Sequence, residues 1–473
     1  MRQWVWLALV LISAVAAFVV ASHRFGYEFA VRDMPVLALS FALVATGSAF
    51  LLMPRIVRAS SFLAPAATRQ VLTIIVVGGL VARLLLLASE PVLEDDYQRY
   101  LWDGAVTAQG LNPYTLSPEQ AQQAPAESAF GALATRSDEH LERVNHSRLR
   151  TVYPPVAQGA FAVAHWLGPW SLTAWRLVCL GLEIATLALL LMLLRDAGRS
   201  PLWAAIYWWN PIALKEIANS AHMEAVVLPL VLGALVLANR RRYSLATVSL
   251  LFAAGAKLWP ALLLPLIWRP LLREPLKLAS LAALSGCAFV AILLPFWLAG
   301  LDQSSGLIAY AQDWKTNSAL TPLLENVARQ VLAITSAASV DARLAARLVA
   351  GAVLAGVVYW QLRAQIASPN DLLQRVFVII TWLFLLSPAQ FPWYYLWLLP
   401  LLTVFPLPGL LVLSATLPLY YMAFHFIARD QAELFAGTIV WAIWLPAWLL
   451  LAGDVLRRPA WTSRYGNAVR AST

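Results

Sequence analysis

Apolar runs long enough to cross a bilayer recur along the chain from its N-terminus to about residue 453. They predict helices at about 4–22, 35–53, 71–89, 171–194, 201–216, 222–239, 243–256, 258–268, 277–299, 343–362, 374–389, 392–405, 407–426 and 435–453. Several fall short of the about 20 residues that one span requires, and 243–268 and 392–426 are expected to be broken or re-entrant. The fold class predicted is an all-α polytopic membrane protein of about 11–14 spans, a single transmembrane domain over 1–473. The first run, "MRQWVWLALVLISAVAAFVVAS", is long for the apolar part of a signal peptide and is read as a retained helix.

The polar breaks carry a charge pattern. With the N-terminus placed in the cytoplasm and the spans alternating, the inner segments hold Arg55, Arg58 and Arg69, then Arg195 and Arg199, then Arg240, Arg241 and Arg242, then Arg269, Arg273 and Lys277, and finally Arg457, Arg458, Arg464 and Arg470. The outer segments are balanced or acidic, which is the positive-inside pattern with both termini cytoplasmic. A large first external loop covers about 90–170, with ten acids and five arginines between 90 and 153, and a second covers 300–342. Within the first, "YPPVAQGAFAVAHWLGPW" reads as an interfacial helix opened by Pro and closed by Gly-Pro.

Composition agrees. Only 12% of the 473 residues are charged and 60% are hydrophobic, with a mean hydropathy of +0.68. The 21 tryptophans suit many membrane–water interfaces. The net charge of +9 is accounted for by inner basic residues, so nucleic acid is not an expected partner. Cys179 and Cys287 lie in separate apolar runs and suggest neither a disulfide nor a metal site. No Walker A loop, dinucleotide fingerprint, HExxH or serine elbow is present, so no nucleotide cofactor is expected.

Four clusters could carry chemistry. Glu94, Asp95 and Asp96 stand together where an apolar run ends. They read either as the N-terminal acids of a helix or as a site whose mutual repulsion raises a pKa. On that helix Asp96, Tyr100 and Asp103 share a face. In "YWWNPIALKEIANSAHMEAVV", Asn210-Pro211 should break the rising helix, and Lys215, Glu216, Asn219, His222 and Glu224 gather at its outer turn. His222 and Glu224 offer two ligands for a divalent ion such as Mg or Mn, or an interfacial hydrogen-bonded pair. Lys257, alone between apolar halves, either snorkels or holds a phosphate; Lys315 and Arg329 read as solvated. In "SPAQFPWYYLWLLPLL", Gln390, Phe391, Trp393, Tyr394, Tyr395 and Trp397 form an aromatic belt or a sugar-stacking platform.

In this order the pieces resemble the integral-membrane glycosyltransferases of the GT-C fold, in particular the first mannosyltransferase of glycosylphosphatidylinositol synthesis and bacterial polyprenyl-phosphate-mannose-dependent relatives. "EDDY" is similar to the family's acid–x–Asp–Tyr motif, through Glu94, Asp96 and Tyr97, with Asp95 at the variable position. Asp103-Gly104, Asn112-Pro113-Tyr114, Tyr153-Pro154-Pro155, "SAHME" with Glu224, Lys257-Leu258-Trp259-Pro260 and the 387–402 stretch resemble later elements. The loop from 115 to 152 is longer than the family pattern. The resemblance implies an enzyme of the bacterial inner membrane with an external active site. It implies a polyprenyl-phosphate sugar donor, a lipid or glycan acceptor and an aspartate base. The rival class is a secondary transporter or flippase, whose ionisable groups should lie at the bilayer midplane with internal pseudo-symmetry.

Overall fold

A computed structural model describes residues 1–335, 341–363 and 365–457. Arg458, Arg464 and Arg470 of the basic tail, and part of the 300–342 segment expected to be a second external loop, lie outside the described residues. Among the described residues there is no strand beyond one isolated bridge, between Thr316 and Ala389. The chain is an all-α polytopic membrane protein. Among the described residues nine helical segments are long and apolar enough to cross a membrane: Arg2–Phe25, Val36–Ser60, Pro65–Leu86, Leu172–Asp196, Pro275–Ala299, Ala342–Arg363, Pro369–Leu386, Pro408–Ile427 and Ala432–Asp454. Two shorter apolar helices, Glu224–Asn239 and Tyr243–Ala256, join them.

The expected spans at 201–216, 258–268 and 392–405 are not continuous helices, and proline is the reason. Pro260, Pro265 and Pro270 recur every five residues, so Trp259–Leu263, Leu264–Trp268 and Arg269–Arg273 alternate between 3-10 and α turns. Pro201 and Pro211 similarly cut 201–216 into short turns, which end in a π-helical turn at Leu214–Asn219. Pro392 opens a 3-10 helix, Pro392–Trp397, and Pro400 falls in the following α turn, Leu399–Leu402.

The breaks between helices sort to two ends. At one end Trp4 donates to Ser60, Arg199 to the carbonyl of Val404, Arg269 to that of Leu362 and Arg375 to that of Gln361. At the other lie the 26–34 turn, the acid loop, the long first loop (90–170) and the helix Gly306–Asp313. The first loop is itself folded. Its helices Asp96–Ala108 and Pro155–Leu167 pack closely; a Cβ on Gly104 would stand 2.5 Å from the carbonyl oxygen of Phe161. Trp102, Val106, Leu133, Leu141 and Val144 give this cap a small apolar core of its own.

Candidate active site

The acid loop is fixed from behind. Arg176, near the start of Leu172–Asp196, donates to the carbonyl of Ser89 (2.8 Å) and to that of Asn219. Asn219 in turn accepts from the backbone N–H of Val92 (3.1 Å) and donates to Ser89 Oγ and the carbonyl of Glu90. Leu93 then adopts a positive φ of 57°, a sharp bend that a non-glycine residue takes only when its surroundings impose it. Beyond the bend the three acids turn towards a cavity of about 700 Å³ at the loop-bearing end of the bundle.

The acids do not cap their helix. Asp95 stands at the N-cap of Asp96–Ala108, yet its side chain makes no capping bond. Instead the Nδ2 of Asn145 donates to Asp95 Oδ1 (2.7 Å) and to Asp96 Oδ1 (2.9 Å). Arg99, one turn further along, donates to the carbonyls of Asn145, His146 and Leu149 and so holds Asn145 in place. Burial, with the Asp96 charge beside it, pushes the Asp95 carboxyl up to about 6 although the Asn145 bond opposes the shift. Burial raises Glu94 well above the usual carboxylate range, partly offset by the charge of Lys215.

Below the acids lies His222, wholly buried, with its ring stacked on Trp393 at 3.9 Å between centroids. Its Nδ1 is 3.8 Å from Asp96 Oδ2; its Nε2 is 3.4 Å from Glu216 Oε2 and 3.9 Å from Glu94 Oε2. Across the cavity Lys257 pairs with Glu224 and stands 4.2 Å above the centre of the Tyr394 ring. The aromatic wall follows from 3-10 geometry, in which residues three apart eclipse one another. Phe391, Tyr394 and Trp397 fall in one row, with Tyr394 and Trp397 stacked at 4.3 Å.

The cavity thus brings together Glu94, Asp95, Asp96, Tyr153, Glu224, Lys257, Trp393 and Tyr394. Other expected site residues stand apart from it. Asp103 is buried behind the acid helix, where it accepts from Thr151 and Gln158, because its turn of the helix faces Pro155–Leu167. The Tyr97 hydroxyl accepts from Gln98 and faces Tyr27. Gln390 donates to the carbonyls of Phe384 and Leu385 and closes the end of Pro369–Leu386. His222 and Glu224 do not converge, since Glu224 is taken by Lys257. Among the described residues, the ligand atoms that do cluster, within 4.8 Å of one another, belong to Glu94, Glu216 and His222. Lys315, read as solvated, pairs with Glu325 at 2.5 Å. Asn145 and Arg176 gave no signal in the sequence: one sits in an ordinary polar loop, the other is a single arginine at a helix start.

Residues 5–272, more than half of the chain, match the family described as alpha-(1->6)-mannopyranosyltransferase, N-terminal domain (the MptA_B family). That region contains the acid loop, the Glu216–Glu224 turn and Lys257. The match agrees with the mannosyltransferase character of the motifs and does not extend to the glycosylphosphatidylinositol enzyme in particular. No curated protein and no solved structure matches the chain.

Proposed function

The chain belongs to the alpha-(1->6)-mannopyranosyltransferase family and is a glycosyltransferase that moves mannose; from that premise we propose that it takes mannose from a polyprenyl-phosphate donor and passes it to a lipid or glycan hydroxyl at the external face. The observation that carries this reading is the joint lining of one cavity by the acid loop, a lysine and a row of aromatic rings. The basic segments at the opposite end support placing that end in the cytoplasm. The whole arrangement has the character of the GT-C enzymes.

Asp96 is the general base. Its Oδ1 is held by Asn145, whereas Oδ2 accepts one long bond from the Tyr100 hydroxyl (3.4 Å) and stands 3.8 Å from His222, so a further lone pair of this oxygen remains for an incoming hydroxyl. The acceptor oxygen attacks the anomeric carbon as its proton passes to Asp96, the bond from that carbon to the phosphate oxygen breaks, and the lipid phosphate departs with the electron pair. Configuration inverts, so an α-linked product requires a β-linked donor. Lys257 faces the leaving phosphate. One of its N–H bonds is spent on Glu224, which leaves others for the developing charge. The rings of Trp393 and Tyr394 line the cavity by their edges, because Trp393 is stacked on His222 and Phe391, and Tyr394 on Trp397 with Lys257 over its ring.

Lys257→Met is expected to lower kcat/KM for the lipid donor by about 10²-fold, the usual cost of losing one donor to a developing anion. Lys257→Arg should recover part of the loss. Initial rates of transfer check this, and an unimpaired Lys257→Met enzyme would remove Lys257 from the phosphate site. The reading as a whole is tested by incubating the purified protein with synthetic polyprenyl-phosphate mannose or glucose and a panel of lipid and glycan acceptors. Transfer of mannose into an α-(1→6) linkage is the expected result; no transfer to any acceptor would overturn it.

A further inference from the structure

We propose that Glu94, Glu216 and His222 form a binding site for one divalent transition-metal ion, of the Mn²⁺ or Zn²⁺ class, beneath the acid loop. The site does not depend on the mannosyl-transfer reading, because it follows from the arrangement of these three side chains.

The separations decide between a hydrogen-bonded cluster and a coordination shell. A charge-assisted hydrogen bond would draw nitrogen and oxygen to about 2.7–2.9 Å. His222 Nε2 is instead 3.4 Å from Glu216 Oε2 and 3.9 Å from Glu94 Oε2. Two ligands each about 2.0–2.1 Å from an ion, at angles near tetrahedral, stand about 3.3 Å apart, close to the shorter of these. Both ring nitrogens of His222 and the Oε2 of Glu216 are buried without a hydrogen-bond partner, as is the other oxygen of Glu94. Leaving such groups unsatisfied is costly, most of all when they are charged. Something with several positive contacts fits the space between them better than nothing.

Charge points the same way. Glu94, Asp95, Asp96 and Glu216 surround the ring, and the neighbouring cation, Lys215, is 3.9 Å from Glu216 Oε2 while its ammonium donates to Ser220 at 2.8 Å. A water molecule could bridge these atoms but would bring no positive charge to the Glu94 and Glu216 carboxyls. The ring is set for ligation through Nε2. It is stacked on Trp393, its backbone N–H donates to the Glu216 carbonyl, and Ala221 before it takes a positive φ of 58°. Asp96 Oδ2 lies on the Nδ1 side, the place of the carboxylate that orients a metal-bound histidine. One imidazole with two carboxylates suits Mn²⁺ or Zn²⁺ better than Mg²⁺, which prefers oxygen alone. Such an ion would anchor Glu94 and fix the ring beside Asp96.

The test uses the full chain, purified in detergent and stripped with chelator, with no sugar donor present. Titration with Mn²⁺ followed by electron paramagnetic resonance is expected to saturate at one ion per chain, to show nitrogen coupling from a single imidazole, and to be reversed by Zn²⁺. Glu216→Gln and His222→Gln should each weaken binding at least tenfold, with monodispersity and melting temperature recorded for each. Should either variant fail to fold, the stoichiometry and the imidazole coupling of the unaltered chain decide. Absence of saturable binding of either ion, or one bound ion without imidazole coupling, would overturn the site whatever the transfer assay gives. So would binding that is unchanged in the folded variants.

Discussion

Asp96→Asn is expected to reduce mannosyl transfer by about 10²–10⁴-fold, which is about 3–5 kcal/mol of lost transition-state stabilisation. The size follows from the role: an amide cannot take the proton of the attacking hydroxyl. The fold should survive, because asparagine has the shape of aspartate and Asn145 can donate to its carbonyl oxygen as it now donates to Asp96. Asp95→Asn removes a carboxylate that shares the same Asn145 donor but leaves Asp96 and its Oδ2 in place. The expected loss there is at most about tenfold, an effect on positioning rather than on the proton transfer itself. Initial rates for the two variants, at equal amounts of folded protein, check the assignment. A dead Asp95→Asn enzyme beside an active Asp96→Asn enzyme would exchange their roles.

The second large effect concerns stability. Arg83 and Glu183 face each other from Pro65–Leu86 and Leu172–Asp196, each about 1% exposed, with two nitrogen–oxygen contacts of 2.8 Å. Arg83 also donates to the carbonyls of Gly79 and Trp208, and its guanidinium sits 3.5 Å over the centre of the Trp208 ring. A buried pair of this kind contributes little net stability, yet removing one partner strands the other charge. Arg83→Met and Glu183→Leu are each expected to destabilise the protein by about 3–5 kcal/mol. The double variant should regain most of that loss, since it strands neither charge. Thermal unfolding in detergent reads this as two lowered melting temperatures and one near the original. Single variants as stable as the unaltered chain would show that the pair is not what locks these helices together.

The span pattern and its charge bias made the fold class legible, because burial in lipid demands long apolar runs. Broken segments were less so. Proline spacing at 260, 265 and 270 was visible, but how 3-10 and α turns partition between prolines depends on packing. Within the site, the acids, Lys257 and the aromatic stretch could be seen because ionisable or aromatic clusters stand out against an apolar chain. Glu216 was visible only as one of a polar group; that it meets Glu94 and His222 depends on positive φ values at Leu93, before Glu94, and at Ala221, before His222, which no residue type there announces. Asp103 shows the converse. Helical spacing put it on the face of Asp96, and so it is, but seven residues along that face the neighbouring element is the Pro155–Leu167 helix and not the cavity. Arg83 and Glu183 were hidden as single charges inside apolar runs about 100 residues apart.

The most direct test of the central claim compares donors. Purified protein is given mannose-labelled polyprenyl phosphate or an equally labelled nucleotide-linked mannose, with the same mannan oligosaccharide acceptor, and product is counted for the unaltered chain and for Asp96→Asn. The account predicts product from the lipid donor alone, and its loss in the variant. Product from the nucleotide donor with none from the lipid donor would contradict it.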